Sequence, residues 1–207
     1  MCIRDRTLGF PVNENNSYYV GLGYTYNKIS NFAYEYNRDL YMKSMNLTGN
    51  SIKTNDFDFS FGWNYNSLNR GYFPTKGVKA SLGGRVTIPG SDNKYYKLSA
   101  DLQGFYPLDR DHRWVLSGKA TASYANGLGG KRVPFYQLYT AGGIGSLRGF
   151  AYGAVGPNAI YQDKYGQWYQ STDVVGGNAM ATASVELIVP TPFVGDKSQN
   201  SVRTSLF

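Results

Sequence analysis

The residues that could support catalysis are few, and their positions do not favour it. The 207-residue chain has one cysteine, Cys2, and one histidine, so neither an internal disulfide nor a Cys/His zinc site can be assembled. His112 lies in the stretch DRDHR, where a solvated turn histidine is the simpler interpretation. Asp56 and Asp58 suggest an acid–base pair, but residues two apart share one face of a strand, where they more simply carry charge into water. We therefore expect no enzyme, no metal site and no cofactor.

The glycine-rich segment AGGIGSLRGF, residues 141–150, invites comparison with phosphate-binding loops. Its spacing fits neither a dinucleotide fingerprint nor a Walker motif, because a Lys-Ser/Thr pair is missing and Arg148 stands where a third glycine would be needed. The net charge of +7 would suit nucleic acid, yet no run of Lys or Arg is longer than a pair. We predict a basic lumen or loop surface and no nucleic-acid partner.

Arg148 is the residue of this segment that most clearly needs a fixed acceptor. Its guanidinium is always charged and offers five donors in a planar fork, and an unpaired charge away from bulk water is costly. From the sequence pattern, Glu186 is the best candidate for the acceptor, because it is the only acidic residue in the alternating segment that follows the loop. Gly149 would permit close backbone approach or a positive φ, and Phe150 would anchor the loop tip in an apolar niche. An exposed loop arginine is the alternative interpretation.

Seven segments that could position these residues alternate between apolar and polar side chains. The clearest is FDFSFGWNY, residues 57–65, in which every odd position is aromatic. A period of two predicts β-strands whose two faces meet different surroundings. The other six segments span about residues 18–26, 78–88, 96–106, 113–124, 181–189 and 201–206.

The charges inside these segments all fall on the polar face. There are ten of them, counting Asp56 directly before residue 57: Asp56, Asp58, Lys79, Arg85, Lys97, Asp101, Arg113, Lys119, Glu186 and Arg203. Segments of about 10 to 12 residues suit a tilted strand that crosses a bilayer, and two apolar stripes begin and end on aromatic rings, as in membrane barrels. A soluble sandwich or lipocalin-like barrel, the alternative, would place its largest rings in mid-strand. We predict that the lipid-facing aromatic residues are Phe57, Phe59, Phe61, Trp63, Tyr65, Trp114 and Tyr124.

The connections between the segments are of two kinds. Proline-containing stretches occur at every second connection, so they share one rim of the sheet: residues 9–11, 72–74, 106–107 and 190–193. The other rim carries the connections 30–53, 89–93 and 125–178, two of which are long and polar. Short turns on one rim and long loops on the other match the periplasmic and extracellular sides of an outer-membrane barrel.

The connection 125–178 is long for a loop, at over 50 residues. Loops longer than about 12 to 15 residues are usually functional or disordered, and the many rings and few charges here argue against disorder. We therefore expect this loop to fold into the polar interior of the barrel. A passive porin, the alternative from another functional class, would need charged constriction residues on a shorter inward loop.

Several motifs resemble those of the BamA family of outer-membrane protein assembly factors. SLRGF (146–150) looks like the (V/L)RG(F/Y) motif in the sixth extracellular loop of that family. The similarity covers about Leu8 to Phe207, and its other motifs are NRGYFPT (69–75), VTIPGSDNKYYK (86–97), GLGGK (127–131), VGGNAMA (175–181), PTPF (190–193) and NSVRTS (200–205). Related polypeptide-secretion or translocation barrels share the RGF-type motif and are the alternative function.

This resemblance implies a fold and a function. The fold would be all-β: a partial antiparallel transmembrane β-barrel, about seven strands of sixteen, with a long inward-folded extracellular loop. The function would be to fold and insert β-barrel proteins into the outer membrane of a Gram-negative bacterium. The implied partners are outer-membrane lipid and lipopolysaccharide, accessory lipoproteins, unfolded clients and periplasmic chaperones. In that family the motif arginine pairs with a glutamate at the position of Glu186, and with an aspartate that would fall past Phe207.

The two ends of the sequence predict a piece of a longer chain. MCIRDR has neither the apolar core nor the cleavage site of a signal peptide, so we expect residues 1–6 to be foreign to the fold. Residues 7–207 would then be a fragment of the barrel domain. The closing SVRTSLF reads as a strand cut in mid-course, and the resemblance places POTRA domains and the first and last barrel strands outside this fragment.

Overall fold

One antiparallel sheet dominates the computed structural model, which describes residues 2–30, 42, 51–162, 165–191 and 203–206. The sheet has eight strands in the order β1-β2-β3-β4-β5-β6-β9-β10. They are β1 (Cys2–Pro11), β2 (Asn16–Ile29), β3 (Ile52–Asn66), β4 (Gly77–Thr87), β5 (Tyr95–Pro107), β6 (Val115–Gly127), β9 (Ala179–Val189) and β10 (Thr204–Leu206). A separate hairpin, β7 (Asn158–Gln162) and β8 (Trp168–Val174), lies within the long connection. In the described ranges, no helix is long and apolar enough to span a membrane.

The predicted all-β antiparallel fold is confirmed, and each of the seven alternating segments contributes a strand. Because directly paired residues share a face, the register shows which side chains lie together. One row runs across five strands from Val20 through Phe61, Gly84 and Leu98 to Tyr124. We call the face that carries this row the outer face, and the face that carries the ten charged residues the inner face.

The eighth strand, β1, was not among the alternating segments. Its register pairs Arg4 with Tyr24 and Arg6 with Leu22, which places both arginines on the outer face. Leu8 and Phe10 on the same strand continue the apolar pattern of that face. Residues 2–6 therefore pair as a strand but violate the distribution of charge seen elsewhere. That residues 1–6 are foreign to the fold stays a prediction.

Burial runs opposite to that of a soluble sheet. On the inner face, Asp56 and Asp58 are only 4 % and 6 % exposed, and Thr54 is fully buried. On the outer face, five leucines are 41 to 60 % exposed: Leu22, Leu82, Leu98, Leu102 and Leu116. A sheet that buries carboxylates and exposes leucines needs an apolar solvent on its outer face, and the hydrocarbon of a bilayer supplies one.

All seven aromatic residues predicted to face lipid lie on the outer face. Four of them are over 40 % exposed, and the others are half-buried because neighbouring rings stack, as Trp63 does on Tyr65 at 6.2 Å between centroids. Phe61 lies directly opposite Gly84 and covers it, so the missing side chain leaves no gap. That these rings contact lipid stays a prediction.

The two rims differ as the sequence predicts. Because the sheet is an antiparallel meander, the β1–β2, β3–β4, β5–β6 and β9–β10 connections share one rim, and the β2–β3, β4–β5 and β6–β9 connections share the other. On the first rim, Thr75 Oγ1 and His112 Nδ1 lie 3.0 Å apart and join two turns. The Asp109 carboxylate accepts the backbone N–H of Trp114 and that of Arg113, and these bonds lower the pKa of Asp109. His112 is thus a turn residue with a structural partner.

Because the two faces of the sheet meet different surroundings, we expect an introduced charge to cost very different amounts of stability at two neighbouring positions on β4. Leu82→Arg, on the outer face, should lower the unfolding free energy of the full-length protein by about 2 to 4 kcal/mol, because the charge enters hydrocarbon. Ser81→Arg, on the inner face, should cost far less. Denaturant unfolding in lipid vesicles measures both, and an equal cost at the two sites would contradict a lipid-facing outer surface.

Candidate functional site

The long loop between β6 and β9 begins with a segment that packs on the sheet. We call residues 133–139 the stem of the loop and residues 141–150 its tip. In the stem, Val133 is 7 % exposed and packs with Tyr95 and Ala125. Pro134 precedes a short 3₁₀ helix, Phe135–Gln137, and Phe135 packs against Ile52 of β3. Apolar contacts thus hold the stem against the sheet near the rim of the long loops.

The tip is a compact turn built from glycines. Gly143 N donates to the Phe150 carbonyl at 3.0 Å, and Ser146 N donates to the Gly143 carbonyl at 3.1 Å. Gly142 has a φ of +121°, and a side chain there would collide with the Ala151 carbonyl. Only glycine meets both conditions at this position. The turn presents residues 144–148 toward the centre of the inner face.

The tip meets the sheet through two cations. Arg148 Nη1 lies 2.8 Å from Glu186 Oε1 on β9. On the neighbouring strand β6, Lys119 Nζ donates to the Gly145 carbonyl at 2.7 Å. The side chains of Arg148 and Glu186 remain 36 % and 23 % exposed, beside a cavity of about 460 Å³ that Ser117 and Arg203 also line. Arg148 and Glu186 therefore form a charge-assisted hydrogen bond, and the two charged groups are only partly removed from water.

The structure brings together Arg148 and Glu186, the two residues that the sequence analysis paired. Gly149 has a φ of +86° and open space where a side chain would project, so its conformation, not close backbone approach, explains the glycine. Phe150 does not fill an apolar niche among the described residues, since it is 55 % exposed.

The proposed acid–base pair has structural partners instead. Asp56 accepts hydrogen bonds from Asn93 N at 3.0 Å and from Asn93 Nδ2 at 2.7 Å. Asp58 Oδ2 lies 3.4 Å from Arg85 Nε. Both carboxylates are buried, so the expectation that they carry charge into open water was wrong. The loop and the β4–β5 turn cover this part of the inner face.

The described ranges contain no group of three or more His, Cys, Asp or Glu side chains placed to hold a metal ion. Three contacts of the loop with the sheet, made by Lys119, Tyr136 and Lys97, were not predicted from the sequence. For Lys119 and Lys97, the sequence signal was their place on the polar face of strands next to a long loop that is expected to fold inward. For Tyr136, the concentration of rings in PFYQLY was the available signal.

Comparisons with known proteins agree with this geometry. The Omp85 superfamily domain matches residues 5–207. The outer membrane protein assembly factor BamA of Neisseria meningitidis serogroup B (strain ATCC BAA-335 / MC58) is 34 % identical over 161 residues, which are 77 % of this chain and 19 % of that protein. The crystal structure of BamA from Haemophilus ducreyi lacking POTRA domains 1–3 superposes with a TM-score of 0.93 at 56 % identity, covering 97 % of this chain and 39 % of that chain.

The chain thus spans about a fifth of the first relative and about two fifths of the second. The agreement extends over the sheet and the long loop alike, because nearly the whole chain superposes. The chain therefore belongs to the Omp85 superfamily, and its antiparallel sheet is part of a β-barrel of the Gram-negative outer membrane.

Proposed function

We propose that this chain is the barrel portion of a machine that folds and inserts other β-barrel proteins into the bacterial outer membrane. The observation that carries the proposal is the 56 % identity to Haemophilus ducreyi BamA over 97 % of the chain. The relative from Neisseria is named an outer membrane protein assembly factor, and 77 % of this chain aligns with it. Both similarities favour assembly over a secretion or translocation barrel of the same superfamily.

The loop argues against a passive porin. A porin conducts through an open lumen, whereas here the stem and the tip of the loop both contact the inner face. The tip brings one arginine into an ion pair with an acidic partner, so each of these two charges is compensated by the other. We propose a non-enzymatic role without a cofactor.

The proposed partners follow from the two faces and from the relatives. The outer face would contact outer-membrane lipid and lipopolysaccharide, since it exposes leucines and aromatic rings. Unfolded outer-membrane proteins would be the clients, and accessory lipoproteins and periplasmic chaperones would assist. An antiparallel sheet with free edges is costly in hydrocarbon because its backbone groups are unpaired. The function therefore belongs to the closed barrel of the full-length protein.

The ion pair predicts a measurable coupling between Arg148 and Glu186. In the full-length protein, a double-mutant cycle of Arg148→Ala and Glu186→Ala should give a coupling of about 1 to 3 kcal/mol, below that of a fully buried pair because both side chains are partly exposed. Protease cleavage within the loop measures the opening equilibrium of each variant. Arg132→Ala, an exposed arginine of the same loop, is the matched control and should change nothing.

A coupling within error of zero, with loop cleavage unchanged in both single variants, would remove Glu186 as the partner of Arg148. Coupling of similar size between Arg132 and Glu186 would also contradict the contact. That outcome would show a general effect of net charge.

The proposed function predicts that assembly depends on the seated loop. Full-length protein in vesicles, with its accessory subunits, should convert an unfolded β-barrel client to its protease-resistant form, and Arg148→Ala should slow this conversion several-fold because the tip is released. Arg132→Ala should assemble client at the unchanged rate. If the unaltered protein inserted no more client than protein-free vesicles, the assembly function would be wrong.

A further inference from the structure

The stem of the loop contacts the sheet through a second group of polar residues, far from Glu186. The Tyr136 hydroxyl lies 3.2 Å from Asn93 Nδ2, 3.4 Å from Thr54 Oγ1 and 3.5 Å from Asn27 Nδ2. These three partners come from the β4–β5 turn, β3 and β2, and each is at most 4 % exposed. We call Asn27, Thr54 and Asn93 the socket. A single hydroxyl of the loop is thus shared among three separate segments.

Asp56 keeps the socket in place. Its two carboxylate oxygens accept the backbone N–H and one side-chain N–H of Asn93, which fixes the orientation of that amide. The second N–H of the amide then points to Tyr136. Hydrogen bonds of buried groups are costly to leave unmade, so a loop without the Tyr136 hydroxyl would leave the socket under-satisfied.

Lys97 adds a charge to the same anchor. Its Nζ donates to the Gln137 carbonyl at 3.2 Å and to Gln137 Oε1 at 3.1 Å, and it lies 4.5 Å from the centroid of the Tyr139 ring. All three contacts are to the stem of the loop. The cation on β5 is therefore solvated by the stem in place of water.

The two anchors lie on different parts of the sheet. The socket reaches β2, whereas the tip contacts β6 and β9, and four strands lie between β2 and β9. At the usual strand spacing this is about 24 Å measured along the sheet. Hydrogen bonds between adjacent strands do not by themselves fix curvature over such a distance, but a packed segment attached at both ends can.

We propose that the long loop is a brace across the inner face, and that the socket with Lys97 is an anchor independent of the Arg148–Glu186 contact. Tyr136 and Lys97 are then positioning residues. They hold the stem, and through it they set the curvature between β2 and β9. The proposal concerns conformation, so its test does not depend on whether the barrel assembles client proteins.

The experiment measures the distance between β2 and β9 in the full-length protein in lipid. Spin labels at Leu22 and Val185 are suitable because both side chains lie on the outer face and are 60 % and 66 % exposed. Tyr136→Phe, which removes only the hydroxyl, and Lys97→Met, which removes the ammonium group and its contacts but keeps a chain of similar length, should each broaden the distance distribution. Each should also speed protease cleavage of the loop by about 5-fold, the effect of one net hydrogen bond. Lys97→Arg keeps the charge and should stay close to the unaltered protein.

Independence of the two anchors is tested by combination with Arg148→Ala. The effects of Tyr136→Phe and Arg148→Ala on cleavage should multiply, since distant sites without shared partners are additive in free energy. The matched controls are Tyr152→Phe and Lys79→Met, which change an exposed tyrosine of the loop and an exposed lysine of the sheet. Both controls should leave the distance and the cleavage rate unchanged.

Two results would overturn the proposal. Unaltered distance distributions and cleavage rates in both Tyr136→Phe and Lys97→Met would show that the socket does not anchor the loop. Loss of the Tyr136→Phe effect in the Arg148→Ala background would show one coupled network in place of two independent anchors.

Discussion

The structure depends on the bilayer as a solvent. Hydrocarbon accepts apolar side chains and paired backbone groups but makes a charge or an unpaired backbone group costly. The strands β2 to β6 and β9 follow this constraint: every charge except Lys28 and Lys53 lies on the inner face, and those two pair at the ends of β2 and β3 that adjoin the rim of the long loops. As a consequence, Asp56, Lys97 and Glu186 all point to the same side, and something polar must cover them. The long loop serves this purpose.

The loop uses different physical contacts at its two ends. At the stem, apolar packing around Val133 and Phe135 is combined with hydrogen bonds to fully buried partners such as Thr54 and Asn93. At the tip, a partly hydrated ion pair and one lysine–carbonyl bond hold a turn that only glycines can form. The stem is therefore the firmer attachment, and the tip is the one that salt or competing charges can release.

The strands, and the face on which each side chain lies, were predictable because apolar and polar residues alternate in segments such as Phe57 to Tyr65. The pairing of Arg148 with Glu186 was also accessible, since one strand offered a single carboxylate of the correct phase. The strand β1 was not, because Arg4 and Arg6 break the pattern. The socket was not predictable either: Asn27, Thr54 and Asn93 are ordinary polar residues until the register and the loop bring them to one hydroxyl. The prediction that Phe150 fills an apolar niche was wrong, because the sequence of a loop tip does not show which surface the tip will meet.

The contact between Arg148 and Glu186 holds the tip of the loop on the inner face, and it can be measured directly. Solid-state NMR of the full-length protein in lipid, with isotope-labelled arginine nitrogens and glutamate carboxyl carbons, measures this contact as a dipolar coupling. We expect a direct-contact coupling that is lost in Glu186→Gln and kept in Arg132→Ala. Absence of that coupling in the unaltered protein, with the rest of the barrel folded, would contradict it.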